Sequence, residues 1–437
     1  MKILIVSWYF PPSSTMGALR NGKLARYLVA QGHDIRVVTV KDPPHPQTLT
    51  PEVPEALIAR TPWIEINRLS VSAFLGRKPP TKADTAKPAA TGTKPKKAPA
   101  RKSGRLSKLY MALTNWPDAR VGWLPHAVRR GRAIAADWQP DLVFASGPPF
   151  TTLNAGYLIA KKHRIPLVSE FRDRWTNDTY WPPGGFRLAV ESRMERAIID
   201  YSCGLVTVSE PWAEDYRRDT GKPAIAILNG YDPKDYPPGP SPGAAEDGFL
   251  RISYTGSIYV DRRDPSPLFQ ALQLMKATPE QVRVDFWGTQ AAHVHPLAER
   301  FGVQDLVEVH PRVTNEESAR LQRASDVLLI MQWDNPKEIG NVPGKLFEYL
   351  GAQRPILGLG PLGGVPATIV KARDAGLYCN EPEGIADQLE RWLEEKRQTG
   401  QVAQLPDSAR AGYTRDEQYQ MLERFLLARG GLEGESS

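Results

Sequence analysis

Cysteine is nearly absent from this chain of 437 residues, which contains Cys203 and Cys379 and no others. Two cysteines cannot build the disulfide framework of a small secreted domain or a cysteine-rich zinc site. A reducing compartment is therefore the simplest expectation. The seven histidines form no HExxH or similar helical pair, so the sequence predicts no metal site.

Long apolar runs are missing as well. No stretch reaches the roughly 18 apolar residues that a membrane-spanning helix needs. The start, MKILIVSWYFPP, has one lysine and a short apolar stretch, as a signal peptide does, but two prolines follow and no small-residue cleavage site comes after them. A buried parallel strand explains this segment better, and we expect a cytoplasmic protein.

The net charge of +7 is concentrated in one segment. Residues 77–108 contain eleven Lys or Arg and a single acid, Asp84, so the other 405 residues carry a net charge of −3. This mildly acidic remainder argues against nucleic acid as the main partner. The segment is rich in Pro, Ala and Lys without apolar periodicity, which predicts a disordered loop. It is either a solvated spacer or a tether to anionic lipid headgroups, which would place the protein on the inner face of the plasma membrane.

Elsewhere, apolar runs alternate with helical patterns, which indicates parallel βαβ units and an α/β fold. The first series of predicted elements has strands at 2–8, 35–40, 141–145, 166–170, 204–208 and 224–228, with helices near 18–31, 126–136, 152–163 and 186–201. The second series has strands at 251–254, 282–287, 307–310, 327–330 and 355–359, and a last helix over 415–427.

A linker containing four prolines, residues 236–247, separates the two series. We therefore predict an N-terminal domain over 1–235, a C-terminal domain over 248–410 and a final segment over 411–437. Doubly wound sheets bind ligands beyond the carboxyl ends of their strands. A cleft between two such domains is the predicted site.

The segment NVPGKLFEYLGAQRPIL, which begins at Asn341, predicts an anion site. Pro343 and Gly344 suit the start of a helix, whose free N–H groups attract an anion. Lys345 would put a cation in the first turn, where the dipole disfavours it unless a phosphate binds there. Glu348, one turn later, could accept hydrogen bonds from a ribose diol. The alternative is a capped core helix with solvated ends.

A second group of candidates follows the first strand of the C-terminal series. Two adjacent guanidiniums at a strand's carboxyl end are suited to a diphosphate. The candidates are Gly256, Ser257, Arg262 and Arg263. Because Asp261 and Asp264 flank the arginines, a surface cluster of salt bridges is the competing explanation.

In the first half, SEFRDRWTND follows a buried strand and provides a carboxylate between two cations. Arg172 and Arg174 should keep Asp173 ionised. Asp173 could then position or deprotonate a hydroxyl, or stabilise a cationic transition state, with Arg172 beside it. The three residues could equally hold a loop in place. The aromatic side chains that follow could pack on sugar rings or in the core; they are Trp175, Tyr180 and Trp181.

The loop after the first strand, YFPPSSTMGALR, leads into a helix. It has no GxGxxG, which disfavours a dinucleotide-dependent dehydrogenase. Gly17 would let a phosphate approach the backbone N–H groups at the helix start. A plain strand-to-helix turn explains the same residues.

These motifs occur together in one family. In chain order they are WYFPP with GALR, PDLVFASGPPF, EFRDRW, VTVSEP, ILNGYDP, YTGSIY and PGKLFEYLGAQRPIL, and they span almost the whole chain apart from the basic segment. With them the chain resembles the family 4 glycosyltransferases of the GT-B fold, especially the bacterial branch with an N-terminal family 4-like domain.

The resemblance implies two Rossmann-like domains facing across a cleft, with a nucleotide-sugar donor on the C-terminal domain and a glycan or lipid-linked acceptor on the N-terminal one. It implies transfer with retention of configuration, with no metal and no cofactor. Arg263 and Lys345 would contact the diphosphate, Gly17 would lie against it, and Glu348 would bind the donor ribose. The last helix would cross back onto the first domain.

The sequence departs from the family at two positions. The family commonly has two Glu separated by seven residues. Counted back from Glu348, the first of these positions is Gly340, and Glu338 is out of register. A family His near the reaction centre is replaced by Arg172 or Asp173. A nucleotide-sugar epimerase of GT-B architecture and a non-catalytic scaffold of polysaccharide assembly therefore stay open as alternatives.

Overall fold

The computed structural model describes residues 1–66, 115–177, 184–237, 248–259 and 262–431. The predicted basic loop at 77–108 and most of the predicted linker at 236–247 lie outside the described residues. So do three side chains named above, Tyr180, Trp181 and Asp261.

The first sheet has seven strands in the order β3-β2-β1-β4-β5-β6-β7. These strands are β1 Lys2–Val6, β2 Asp34–Val40, β3 Ile58–Thr61, β4 Leu142–Gly147, β5 Leu167–Phe171, β6 Gly204–Thr207 and β7 Ala224–Ala226. The accompanying helices are α1 Met16–Ala30, α2 Leu124–Trp138, α3 Phe150–His163, α4 Gly185–Tyr201 and α5 Glu210–Thr220. The central strand β1 pairs in parallel with both β2 and β4, and its apolar run is buried because helices cover both faces.

The second sheet has six strands, all paired in parallel, in the order β10-β9-β8-β11-β12-β13. Its strands are β8 Leu250–Thr255, β9 Val282–Trp287, β10 Val307–His310, β11 Val327–Met331, β12 Ile356–Leu359 and β13 Gly376–Tyr378. The helices are α6 Ser266–Leu274, α7 Ala291–Arg300, α8 Asn315–Ala324, α9 Lys345–Gly351, α10 Val365–Ala372, α11 Pro382–Thr399, α12 Asp407–Arg410 and α13 Arg415–Arg429.

In each sheet the order in which the chain adds strands reverses once. The reversal lies between β1 and β4 in the first sheet and between β8 and β11 in the second. At such a switch point the loops leaving two neighbouring strands run in opposite directions and leave a crevice for a ligand. In the first sheet these loops follow Val6 and Gly147; in the second they follow Thr255 and Met331. The topology therefore provides one crevice in each half of the chain.

Two separate clusters of apolar side chains pack on the second sheet. One contains Phe269 and Leu272 of α6 with Leu389 and Leu393 of α11. The other contains the apolar side chains of α9, including Leu346, which together with Phe347 and Leu350 is fully buried. This second cluster fixes α9 against the sheet next to the switch point.

Most predicted strands lie within two residues of their observed positions. The sequence did not indicate β3 and β13, which have only four and three residues. The predicted first strand, 2–8, ends at Val6, although Ser7 N–H still donates to the carbonyl oxygen of Val38 at 3.0 Å. Gly32 follows α1 with a φ of 82°, the left-handed conformation expected of a glycine beyond a helix end.

The contacts divide the chain into two compact units. The first contains Met1–Val206, Thr220–Pro223 and the residues from Leu426 on; the second contains Thr207–Asp219 and Ala224–Phe425. The predicted domain boundaries stay predictions. Among the described residues, every helix is too short or too polar to cross a membrane.

Candidate functional site

The second unit gathers several predicted donor-binding residues at its switch point. Gly256 directly follows β8 with a φ of 142°, a backbone conformation that favours glycine. A Cβ at this position would overlap Cε and Nζ of Lys345, so the lysine side chain lies directly on the glycine. Residues 89 positions apart in the sequence thus form one surface, with the ammonium at the carboxyl end of a central strand.

The ammonium of Lys345 has no hydrogen-bond acceptor within the described ranges, and it lies 5.9 Å from the ring centroid of Tyr254. Burial lowers the pKa of Lys345; Glu348 opposes this shift and Arg263 adds to it. An ammonium offers three donors that water or an anion must satisfy. The Lys345 ammonium is therefore chemically suited to an anionic ligand, and its role in binding one stays a prediction.

Arg263 adds a second cation beside Lys345. Its Nη1 donates to the Ser257 carbonyl oxygen at 3.0 Å and to the Tyr254 hydroxyl at 3.3 Å, and its guanidinium lies 4.6 Å from the Tyr259 ring centroid. No carboxylate in the described part of the chain pairs with Arg263. These contacts fix the side chain while leaving guanidinium N–H donors for a ligand.

The two adjacent arginines diverge. The guanidinium of Arg262 lies 4.9 Å from the ring centroid of Trp333, whereas Arg263 lies against Tyr259. Within the part of the chain that the structure describes, Asp264 forms no ion pair with either arginine. It accepts instead from the backbone N–H and the hydroxyl of Ser266, at 2.9 and 2.6 Å, at the start of α6. The predicted salt-bridge cluster therefore lacks Asp264, and Asp261 lies outside the described residues.

Glu348 lies one turn after Lys345 on α9 and accepts a hydrogen bond from a buried amide. Its Oε2 accepts from Nε2 of Gln322 at 3.3 Å. Gln322 lies on α8, so the donor to this carboxylate belongs to a different helix. A carboxylate held in this way keeps lone pairs for a diol.

Asn341 and Gly344 support the segment that leads into α9. Asn341 Nδ2 donates to Oε2 of Glu338 at 2.7 Å, and its carbonyl oxygen accepts from Gln332 at 2.8 Å. Gly344 is the residue before α9, and its carbonyl oxygen accepts from the N–H of Phe347 at 3.1 Å. Asn341 is thus engaged with its own segment.

The position of the missing first Glu has a steric explanation. Gly340 is buried, and a Cβ there would overlap the indole ring of Trp212 at Nε1 and Cδ1. Glu338, two residues earlier, is only 2% exposed and bonds to Asn341. A glutamate at position 340 would therefore displace Trp212.

We expect Gly340→Ala to lower the free energy of unfolding by about 1–3 kcal/mol, the usual cost of overpacking a filled site. Urea unfolding measures this change. Gly363→Ala is the matched control, because nothing lies within 4 Å of the added Cβ. Equal unfolding midpoints for the two variants would show that Trp212 does not restrict position 340.

In the first unit, Gly17 and Arg172 meet at the other switch point. A Cβ on Gly17 would overlap the guanidinium of Arg172. Arg172 Nε donates to the Gly147 carbonyl oxygen at 3.1 Å and Nη2 donates to that of Pro148, so the loop after β4 holds the side chain. Burial lowers the pKa of Arg172, and Glu170 and Asp173 oppose the shift.

Asp173 is exposed, and Trp175 is not. The Trp175 ring is 3% exposed, stacks on Phe150 with centroids 4.7 Å apart, and donates to Glu191 at 3.1 Å. Of the two interpretations of Trp175, the core one is therefore right. The structure brings Gly17, Arg172 and Asp173 into one neighbourhood, and the roles proposed for them stay predictions.

A buried ion pair between Arg20 and Glu170 lies next to these residues. Glu170, on β5, accepts from Arg20 Nε at 3.0 Å and Nη2 at 2.7 Å and from the Ser146 hydroxyl. Arg20 and Glu170 are each 1% exposed. Sequence reasoning missed this pair, because 150 positions separate the partners.

One group of side chains could gather around a metal. Potential ligand atoms of Asp285, Glu308 and His310 lie within 4.8 Å of one another. However, Asp285 already accepts from Arg251 at 2.9 Å and lies 2.8 Å from His310 Nε2, and the His310 ring stacks on Trp287. A guanidinium on the central carboxylate disfavours a cation. The predicted lack of a metal stays an expectation.

The comparisons with known proteins agree with this architecture. Residues 18–228 match the family model described as a glycosyl transferase 4-like domain. No curated protein matches significantly. Among solved structures, sucrose-phosphate synthase from Thermosynechococcus elongatus aligns with a TM-score of 0.61 at 15% identity, over 98% of this chain and 99% of that one.

Two further structures align over the whole chain. Anabaena HepE in complex with UDP and glucose has a TM-score of 0.58 at 14% identity and covers 98% of this chain and 100% of that one. A Listeria monocytogenes protein assigned as a UDP-N-acetylglucosamine 2-epimerase has a TM-score of 0.51 at 12% identity and covers 99% and 97%. At these identities the likeness concerns the fold, and it confirms the predicted GT-B class with two Rossmann-like sheets.

Proposed function

We propose, for a chain that carries a family 4-like glycosyltransferase domain over residues 18–228, that it transfers a sugar with retention from a nucleotide-sugar donor to a glycan or lipid-linked acceptor. One observation carries the proposal. The partly buried ammonium of Lys345 lies on Gly256 beside Arg263, with no acceptor of its own in the described part of the chain. Two adjacent cations at a switch point suit the diphosphate of a nucleotide-sugar.

Each residue of the second unit would have a distinct role. Lys345 and Arg263 would neutralise the charge that develops on the diphosphate as the bond from the anomeric carbon to the phosphate oxygen breaks. Glu348 would accept hydrogen bonds from the ribose hydroxyls. The backbone at Gly256 and Ser257 would contact the phosphates, with Arg262, Asn341 and Gly344 bordering the donor.

The first unit would bind the acceptor. The acceptor hydroxyl oxygen forms the new bond to the anomeric carbon and loses its proton. The exposed carboxylate of Asp173 is suited to accept that proton or to orient the hydroxyl, and the neighbouring Arg172 would hold the surrounding loop. The assignment of Gly17 to the diphosphate rests on the family resemblance.

The direct test is to titrate the full-length protein with UDP, GDP and ADP sugars by calorimetry and to assay release of the nucleoside diphosphate. We expect one of these donors to bind and to be hydrolysed slowly or transferred. If no nucleotide sugar binds, the proposed function is wrong.

An epimerase is the second candidate, because the chain aligns with the Listeria protein assigned to that activity and Gly340 replaces the family Glu. An epimerase would return an isomerised sugar nucleotide without any acceptor, and product analysis by NMR separates the two reactions. Donor binding without turnover would instead favour a non-catalytic scaffold.

We also propose that residues 77–108 attach the protein to anionic membranes. Their net charge of +10 is large enough, at about 1 kcal/mol per Lys or Arg near the surface, to hold a protein at such a bilayer. Deleting 77–108 should reduce sedimentation with phosphatidylserine vesicles at low salt and leave donor binding unchanged. Neutral phosphatidylcholine vesicles are the control. Undiminished binding to the anionic vesicles would make the segment a spacer.

A further inference from the structure

The carboxylate of Glu348 is held by a chain of buried polar side chains that the function above does not use. Gln322 on α8 is 0% exposed. Its Nε2, which carries two hydrogens, lies 3.0 Å from the Thr255 hydroxyl, 3.1 Å from the Ser318 hydroxyl and 3.3 Å from Oε2 of Glu348. A buried amide with no access to water must find all its partners within the protein.

The other end of this amide is fixed by Tyr236. The Tyr236 hydroxyl donates to Gln322 Oε1 at 2.6 Å, and the tyrosine is only 4% exposed. Because an ionised carboxylate can only accept, the amide must direct its NH2 group toward Glu348. With the tyrosine donating to the oxygen, only one of the two amide orientations satisfies both ends.

Here we propose that Gln322, locked by Tyr236, is the positioning residue that orients Glu348 for the ribose hydroxyls of the donor. The inference rests on the proposed function, since it gives Glu348 its ligand. It assigns a role to two residues that lie outside every motif of the sequence. It also connects the residue at the start of the predicted linker to the nucleotide site.

The geometry explains why a separate positioning residue is needed. Glu348 lies on α9, which has seven residues, and among the described residues its carboxylate receives no other hydrogen bond. A free glutamate side chain has several rotamers, and binding would have to select one of them. The amide of Gln322 removes that freedom before the nucleotide arrives, which strengthens binding by preorganisation.

Gln322→Met tests the proposal, because methionine keeps the length of the side chain and removes the hydrogen bonds. The probes are UDP, GDP and ADP, each compared with its 2′,3′-dideoxy analogue. A hydrogen bond to a charged group is worth about a factor of ten or more, and without it the nucleotide would have to select the binding rotamer of Glu348 itself. We therefore expect about tenfold weaker binding of the ordinary nucleotide and less than about a twofold change for the dideoxy analogue.

Tyr236→Phe provides a second variant in case Gln322→Met does not fold. It should show the same difference between ordinary and dideoxy nucleotides, with a smaller loss of about threefold, because the amide is then only free to flip. Ser318→Ala is the matched control: it removes a partner of the same amide, leaves the contact with Glu348, and should bind like the wild type.

Equal weakening of an ordinary nucleotide and of its dideoxy analogue would overturn the proposal, since Gln322 would then only support the fold. Unchanged binding of both would overturn it as well. If none of the three nucleotides binds the wild-type protein, the proposed function fails together with this inference. Wild-type binding with insensitive variants defeats this inference alone.

Discussion

Replacing Lys345 by Met should weaken binding of a nucleoside diphosphate by about a hundredfold. Truncating one partner of a buried charge pair commonly costs about 2–5 kcal/mol of binding free energy. About 1.4 kcal/mol corresponds to a factor of ten in affinity. Lys345 has no acceptor of its own in the described ranges, so the phosphate would be its main partner. Calorimetric titration of both proteins with the nucleotide that binds the wild type measures the change.

The same substitution should leave the ligand-free protein as stable as the wild type or slightly more stable. Burial lowers the pKa of Lys345, which means that the folded protein disfavours its charged form. Methionine fills a similar volume without a charge. Lys337→Met, at an exposed position eight residues earlier, is the control and should change neither property. Parallel losses of stability and affinity would indicate that Lys345 is a structural residue.

Arg20→Met should destabilise the first unit by about 3–5 kcal/mol, because it leaves the carboxylate of Glu170 in the protein interior without its main partner. Both side chains are almost completely buried, and the arginine donates twice to one carboxylate oxygen. Urea unfolding of the full chain, followed by circular dichroism, measures the loss. The exposed pair of Arg196 and Asp200 provides the control, since Arg196→Met should have little effect.

The double variant Arg20→Met/Glu170→Met separates the charge effect from packing. Replacing both members of a buried ion pair by apolar residues is often close to neutral, so the double variant should be more stable than Arg20→Met alone. If the double variant is less stable than Arg20→Met, the unpaired carboxylate of Glu170 is not the cause of the instability of the single variant. The stability of this pair matters because Glu170 lies two residues before Arg172, at the switch point of the first sheet.

The α/β class, the alternation of elements and the helix at Lys345 could all be predicted from the sequence, because they depend on local patterns. The run at Ile3–Val6 is apolar at every position, as a strand buried on both faces must be. Gly32 beyond α1 and the apolar face of α9 are equally local signals. The short edge strand at Ile58–Thr61 carries too few residues to establish a period and was missed.

The sequence motifs identified the candidate residues and their chemical types. They did not show which residues each candidate contacts in the fold. The sequence predicted that Lys345 and Arg263 bind an anion, and it could not show that Gly256 lies directly beneath the ammonium. It placed Arg262 with Arg263 as a pair, whereas the fold turns them toward different aromatic rings. The backbone geometry after β8 sets the directions of these two side chains, since adjacent side chains in a turn need not point the same way.

By itself the sequence determined the fold class, the location of the excess positive charge and the residue types suited to a nucleotide-sugar. Only the tertiary structure decided which of these residues meet. Gln322 had no motif to identify it, and its role depends on two helices, a strand and the loop at Tyr236, which converge on one amide. Likewise, the absence of a glutamate at position 340 became explicable once Trp212 was found against Gly340. Local patterns arise from backbone periodicity, whereas these contacts join residues far apart in the chain, so packing alone sets them.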